Sequence, residues 1–253
     1  MEQESSFEVF EGETLEDLQL GGYFILQKEK AFRFGMDAVL LSNFTASDLK
    51  FKKDFTLLDL GTGTGILPIL LAAKTRASLL TGIEIQAPMA EMARRSVQGN
   101  GLSGRIEILD LDIKEASLRL PLGSFDNVAT NPPYTKAGGG MINPGDTKAI
   151  SRHELLCTLR DVVKTAAALL KPNGSFYMVH RPDRLSEIFA QMQAFKLEPK
   201  LLRLVCPRLG EAPSLILVKG TKFGNPGMKL PPPIYIYDSE GRYTEEVQMA
   251  YGT

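Results

Sequence analysis

The sequence has no tryptophan, two histidines and only two cysteines, Cys157 and Cys206, among 253 residues. Two distant thiols without a C-x-x-C pair form no disulfide framework and no zinc site, and they point to a reduced, cytoplasmic compartment. Two histidines make no cluster at metal-ligand spacing, so no metal centre is expected. No stretch approaches the roughly 18 consecutive apolar residues of a membrane-spanning helix. The acidic N-terminus lacks the basic start and apolar run of a secretory signal. With 43% hydrophobic and 23% charged residues, the composition excludes a mainly disordered or collagen-like chain. The length suits one α/β domain with small additions.

Positive charge is missing from both ends. Residues 1–20 carry seven acids (Glu2, Glu4, Glu8, Glu11, Glu13, Glu16 and Asp17) and no Lys or Arg, and residues 238–253 carry four acids against Arg242 alone. The overall charge of −1 therefore conceals a basic interior, and residues 136–229 hold 15 basic and 7 acidic residues. Clustered positive charge raises the local concentration of a polyanion such as nucleic acid. An ordinary solvated surface is the competing reading.

Hydrophobic patterning alternates strands with helices. Apolar runs at 55–60, 79–85, 105–112, 125–130 and 175–180 read as strands, and periods at 66–74, 88–98 and 184–194 as helices. Ser151 to Glu154 has capping-box spacing ahead of the period Leu155, Leu159, Val162, Val163, Ala166, Leu170. Residues 200–206 and 214–219 are two final strands with no helix between them, which suggests an antiparallel hairpin at one edge. The expected fold is α/β, a Rossmann-like, mostly parallel sheet covered by helices on both faces. The division expected is an N-terminal extension with its first helix at 1–50, a core at 51–222 and a C-terminal arm at 223–253.

Asp59-Leu60-Gly61-Thr62-Gly63-Thr64-Gly65 joins the first core strand to its helix. Glycines at such a turn let backbone approach a ligand, and the helix start offers free N–H groups. The spacing differs from G-x-G-x-x-G and no Lys-Ser/Thr pair follows, so neither a dinucleotide nor a triphosphate loop is indicated. Asp59 would repel a pyrophosphate and suits a cationic ligand. Glu84, ending the next strand, can accept both hydroxyls of a ribose, and Asp112, ending the third, can accept from an adenine amino group. A tight turn without ligand is the alternative for the glycines, and a strand-end cap the alternative for Asp112.

Asn131-Pro132-Pro133-Tyr134 follows the fourth core strand, at the edge where open α/β sheets bind ligands. An amino group conjugated to a ring is a poor nucleophile because its lone pair is delocalised. The Asn131 side-chain oxygen and the Pro132 carbonyl can accept its two hydrogens, holding the nitrogen in line and favouring rehybridisation as positive charge develops. Pro133 stiffens the turn further, and Tyr134 offers a face for a planar substrate. The alternative is an Asn-Pro turn closing a strand over a buried tyrosine.

These motifs resemble the class I S-adenosylmethionine-dependent methyltransferases, whose fold is a seven-stranded sheet with the last strand antiparallel. The resemblance implies that Asp59, Gly61, Thr62, Gly63 and Gly65 surround the methionine part of S-adenosyl-L-methionine. It places Glu84 and Ile85 at the ribose, Asp112 and Ile113 at the adenine, and Asn131 against the cofactor as well as the substrate. Asn131-Pro132-Pro133-Tyr134 is similar to the (D/N/S)PP(Y/F/W) element of amino-methyltransferases acting on adenine N6, cytosine N4 or glutamine amides. Residues 27–41 (QKEKAFRFGMDAVLL) look like a segment of the bacterial tRNA1(Val) adenine-37 N6-methyltransferase family, in which Gly35 and Asp37 would help close the cofactor pocket. Residues 231–246, from Pro231-Pro232-Pro233 to Glu246, resemble the tail of one branch of that family.

The family resemblance implies N6-methylation of an adenosine in the anticodon arm of a valine tRNA. Lys136, Lys148, Arg152, His153, His180 and Arg181 are the candidate substrate contacts, and ordinary surface or packing roles compete for each. Two other readings are a protein glutamine-amide methyltransferase, whose usual longer N-terminal helical domain is not matched here, and a small-molecule methyltransferase or non-catalytic cofactor-binding domain. Oligomeric state is left open.

Overall fold

A computed structural model describes residues 6–29, 35–134 and 157–252. An acidic hairpin comes first, β1 (Glu13–Asp17) against β2 (Phe24–Lys28), followed by α1 (Met36–Asp48). The central run is β3 (Thr56–Leu60), α2 (Ile66–Lys74), β4 (Leu79–Glu84), α3 (Ala87–Gly99), β5 (Ile106–Asp110), α4 (Ile113–Arg119) and β6 (Phe125–Thr130). Beyond it lie α5 (Leu159–Leu169), β7 (Leu170–His180), α6 (Leu185–Ala194), β8 (Leu197–Cys206), β9 (Leu215–Lys222), β10 (Ile234–Tyr235) and α7 (Glu245–Tyr251).

The main sheet has the order β10-β8-β9-β7-β6-β3-β4-β5. Among the described strands of this sheet only β9 runs antiparallel, paired with β7 on one side and β8 on the other. The seven expected core strands are present, and the C-terminal segment adds an eighth, β10, parallel to β8. The expected edge hairpin therefore lies inside the sheet, because its outer strand β8 is covered. From β3 the chain passes to β4 and β5 in one direction, then returns to β6 and β7 on the other side. The reversal lies between β3 and β6, which pair in parallel through Leu57, Leu58 and Asp59. Such a switch point leaves a crevice at the carboxyl ends of the two strands.

Alternating side chains of one strand feed two cores. Leu57 packs on the face covered by α1, α2 and α3, while Leu58 and Leu60 pack on the face covered by α4, α5 and α6. Each such leucine, wholly buried, contributes about 1.5–3 kcal/mol by leaving water.

Several local expectations are corrected. The described helix bearing Leu159, Val162, Val163 and Ala166 begins at Leu159. Thr158 caps it, exchanging hydrogen bonds with Asp161 at 3.2 and 2.9 Å. The capping-box spacing at 151–154 lies outside the described residues. Asp112 does not end a strand: β5 stops at Asp110, and Asp112 caps α4 by accepting from the Lys114 N–H at 2.9 Å. That seven-residue helix is too short to show a period. In the C-terminal segment, Ile234 and Ile236 are buried, and Val247 and Ala250 of α7 join the core that contains α1. Lys74 at the end of α2 donates to the Ala250 carbonyl at 2.6 Å and to Ser42 Oγ at 3.0 Å.

One acid of the N-terminal run, Glu13, is held by a cation of the core. Arg95 on α3 makes a two-pronged pair with Glu13, both contacts at 2.8 Å, and donates to Glu91 at 2.7 Å. Its guanidinium lies 4.0 Å from the centre of the Phe10 ring. These contacts hold the β1–β2 hairpin on the domain, and the hydrogen bond from Arg95 holds the Glu13 carboxyl below its ordinary 4.5. The stabilisation is complete above that value and is lost as pH falls through the lowered one. Glu13→Gln is expected to cost about 1–3 kcal/mol at pH 7. Urea unfolding at pH 7 and at pH 3 measures it, and the cost should shrink at the lower pH.

Candidate active site

The site grows out of the two strand ends at the switch point. After β3 the chain turns through Gly61, Gly63 and Gly65, all at positive φ (77°, 57° and 85°), a region that side chains strain to enter. The turn is tied to β4, since the Gly61 and Thr62 N–H groups donate to the Ile83 carbonyl at 3.0 and 2.9 Å. Among the described residues a Cβ on Gly63 would meet nothing within 4 Å, and one on Gly61 only the Ile113 side chain at 3.8 Å, so none of them covers this bare backbone. A Cβ on Gly82, opposite Asp59 in the β3–β4 pairing, would lie 2.8 Å from Thr62 Oγ1, so that glycine makes room for the turn.

Two carboxylates border the turn. Glu84 accepts from the Gly63 N–H at 3.0 Å and from the Gln86 N–H at 2.9 Å. A carboxylate has about four acceptor positions, so capacity remains on Oε2 for a further donor. Asp59 is buried, and its carboxyl is pushed up to about 7. Burial is the main cause; the Thr62 hydroxyl opposes it and the negative charge of Glu84 adds to it. Ile85, at the end of β4, is left uncovered although aliphatic. Ile113 and Asp112 stand at the start of α4, with Ile113 against Gly61. Acceptors for hydroxyl and cationic donors, bare backbone and an uncovered aliphatic side chain together fit S-adenosyl-L-methionine.

The second strand end supplies the other half. Thr130, the last residue of β6, donates from Oγ1 to the Leu60 carbonyl at 2.9 Å, pinning the start of Asn131 to the start of the glycine turn. The sequence reading passed over this buried threonine, and its only signal was a small hydroxyl at the end of an apolar strand. The Tyr134 hydroxyl lies 2.7 Å from Asn131 Oδ1 and 2.7 Å from Asp37 Oδ2, joining the Asn-Pro-Pro-Tyr turn to α1. Its ring sits 5.3 Å from that of His180, and the exposed Arg181 guanidinium lies 5.8 Å from its centre.

Geometry thus brings Gly35, Asp37, Asn131, Tyr134, His180 and Arg181 together, and separately Asp59, Gly61, Gly63, Glu84 and Ile113. His180 is corrected as a candidate phosphate contact. It is buried, its Nδ1 accepts from the Arg181 N–H at 2.8 Å, and burial with the Arg184 charge lowers its pKa to about 4. A neutral, enclosed imidazole offers phosphate no charge. Lys136, Lys148, Arg152 and His153 lie outside the described residues.

A family model described as methyltransferase small domain matches residues 36–197. The chain belongs to that family. A relative from Porphyromonas gingivalis, named tRNA1(Val) (adenine(37)-N6)-methyltransferase, is 33% identical over 187 residues, covering 73% of this chain and 70% of the relative. A relative of the same name from Haemophilus influenzae is 25% identical and covers 88% of this chain and 91% of the relative. Among solved structures, a methyltransferase from Agrobacterium tumefaciens, described as a predicted O-methyltransferase, aligns with a TM-score of 0.69 at 26% identity. It covers 85% of this chain and 95% of that protein. The matched span runs from α1 through α6 and includes the glycine turn.

Proposed function

We propose that this methyltransferase transfers a methyl group from S-adenosyl-L-methionine to N6 of adenosine 37 in the anticodon arm of a valine tRNA. The names of its relatives support the reaction, and one observation carries it: the Asn131 turn is fastened beside the glycine turn at the switch point. The cofactor supplies an electrophilic methyl on a positively charged sulfonium. Gly61 to Gly65 let backbone lie against its amino-acid part, and ionised Asp59 answers its positive charge. Glu84 accepts from the ribose hydroxyls, while Ile85, Asp112 and Ile113 border the adenine.

Asn131 and the Pro132 carbonyl accept the two N6 hydrogens, which orients the nitrogen lone pair and stabilises positive charge as it develops on nitrogen. The methylated nitrogen is acidic and loses its proton afterwards, so no strong general base is needed. The target adenosine must be splayed from its stack to arrive there. Arg181 beside Tyr134, with Lys136, Lys148 and Arg152, would hold the flanking phosphates. The net positive charge of residues 136–229 supports an anionic substrate despite a sequence pI near 6.2.

The test is methyl transfer from radiolabelled S-adenosyl-L-methionine to unmodified bulk tRNA, followed by nucleoside mass spectrometry. N6-methyladenosine at position 37 of valine tRNA is the expected product. Label appearing instead in a glutamine-containing protein fraction would sink the tRNA reading.

A further inference from the structure

We infer that Asp37 is a positioning residue, acting through the Tyr134 hydroxyl to turn the Asn131 amide so that its carbonyl oxygen faces the substrate amino group. This inference rests on the proposed N-methylation and adds to it a device outside the Asn-Pro-Pro-Tyr turn.

Proton counting carries it. The Tyr134 oxygen has one hydrogen, yet it stands 2.7 Å from two oxygens, Asp37 Oδ2 and Asn131 Oδ1. Both cannot be acceptors of the same short bond. An ionised carboxylate is the stronger acceptor, so the phenol proton goes to Asp37. The contact with Asn131 is then satisfied only when the amide presents its NH2 to the phenol oxygen. Oxygen and nitrogen of an asparagine side chain are assigned from their hydrogen-bond partners. Here the partners require the reverse of the orientation that places Oδ1 at the phenol. With NH2 held by Tyr134, the carbonyl oxygen points away from it and has no other partner among the described residues.

The consequence is chemical. An attacking amino group shows its surroundings only N–H hydrogens, because its lone pair is aimed at the methyl group. A carbonyl oxygen attracts it and an NH2 group repels it. Amide orientation therefore separates a productive turn from an unproductive one, and Asp37 biases the choice.

The surroundings are built to keep Asp37 in this role. Its other oxygen, Oδ1, accepts from the Ala38 N–H at 2.9 Å, which fixes the carboxylate at the start of α1. A Cβ on the preceding Gly35 would lie 2.8 Å from that same oxygen, so only glycine lets the side chain fold back. Burial and the Asp37 charge push the Tyr134 phenol far above its usual range, and it keeps its proton throughout the working pH range.

Tyr134→Phe keeps the ring against His180 and Arg181 and removes only the hydroxyl. Its kcat for tRNA methylation is expected to fall about 10- to 100-fold, with KM for tRNA and the cofactor Kd within about twofold. Asp37→Asn should lower kcat by about 5- to 10-fold in the wild-type background and add nothing in the Tyr134→Phe background. Thermal midpoints and calorimetric cofactor binding confirm that the variants are folded. An unchanged kcat for Tyr134→Phe, as a mere stacking ring would give, overturns the inference. Independent, multiplying losses from the two variants overturn it as well. A wild-type protein that leaves tRNA unmethylated overturns the proposed function, and the inference with it.

Discussion

Asn131→Ala is expected to lower kcat for methyl transfer by about 10²- to 10³-fold while cofactor affinity stays within a few-fold of wild type. In the proposed reaction the side chain meets the reacting nitrogen and stands apart from Asp59 and Glu84, which lie on β3 and β4. Loss of one aligned acceptor removes stabilisation where charge develops, and the truncated turn no longer selects the in-line lone pair. Stability should change little, since Asn131 is half-buried beyond the end of β6 and its backbone is placed by the Thr130 bond to Leu60. Single-turnover transfer to tRNA with parallel calorimetry of S-adenosyl-L-methionine measures both. Transfer at the wild-type rate would remove Asn131 from the reaction. A matched loss of cofactor binding would move it into the cofactor pocket instead.

The sequence showed one half of this site more clearly than the other. Asp59, the three glycines of the turn and Glu84 are legible because each sits at the end of a short apolar run, where a strand must stop. Helix 66–74 and strand 125–130 emerge with the same bounds as their patterns, since continuous burial leaves no competing period. Asp112 was harder. Its residue type suits a ligand and a helix cap equally, and the hydrogen bond to Lys114 is visible only in three dimensions. The joining of Asp37 to Tyr134 spans 97 residues, and no local pattern encodes it. The same holds for the Arg95–Glu13 pair and for the C-terminal helix, whose two leading acids, Glu245 and Glu246, disguise two fully buried side chains, Val247 and Ala250. Local periodicity reveals which residues face a core. It does not reveal which distant polar groups meet across one.

Asp59→Asn is expected to strengthen the cofactor-free protein and weaken cofactor binding at the same time. In the folded chain the Asp59 carboxyl is raised from 3.8 to about 7, chiefly by burial. Between those values the folded state holds a proton that the unfolded state has released. Apo stability therefore falls as pH rises through this window and levels off above about 7. At about 1.4 kcal/mol for each tenfold change in proton affinity, the full burden at pH 8 is roughly 4 kcal/mol. Asparagine carries no such burden, so the apo variant should gain stability at pH 8 and much less at pH 5. Cofactor binding runs the other way, because a cation is attracted only to the ionised carboxyl. Wild-type affinity should rise with pH up to about 7 and then flatten, with proton release on binding below that value. In the variant, affinity should drop about 10- to 100-fold at pH 8 and lose its slope, the size of one close charge pair in a partly desolvated site. Urea unfolding and calorimetry at pH 5, 6, 7 and 8 give both curves. Equal apo stability across that range, with an unchanged affinity profile, would show that Asp59 is neither strained by burial nor aimed at a cation. Opposite movements of the two curves would mark it as a charge kept at a cost to the fold because the ligand needs it.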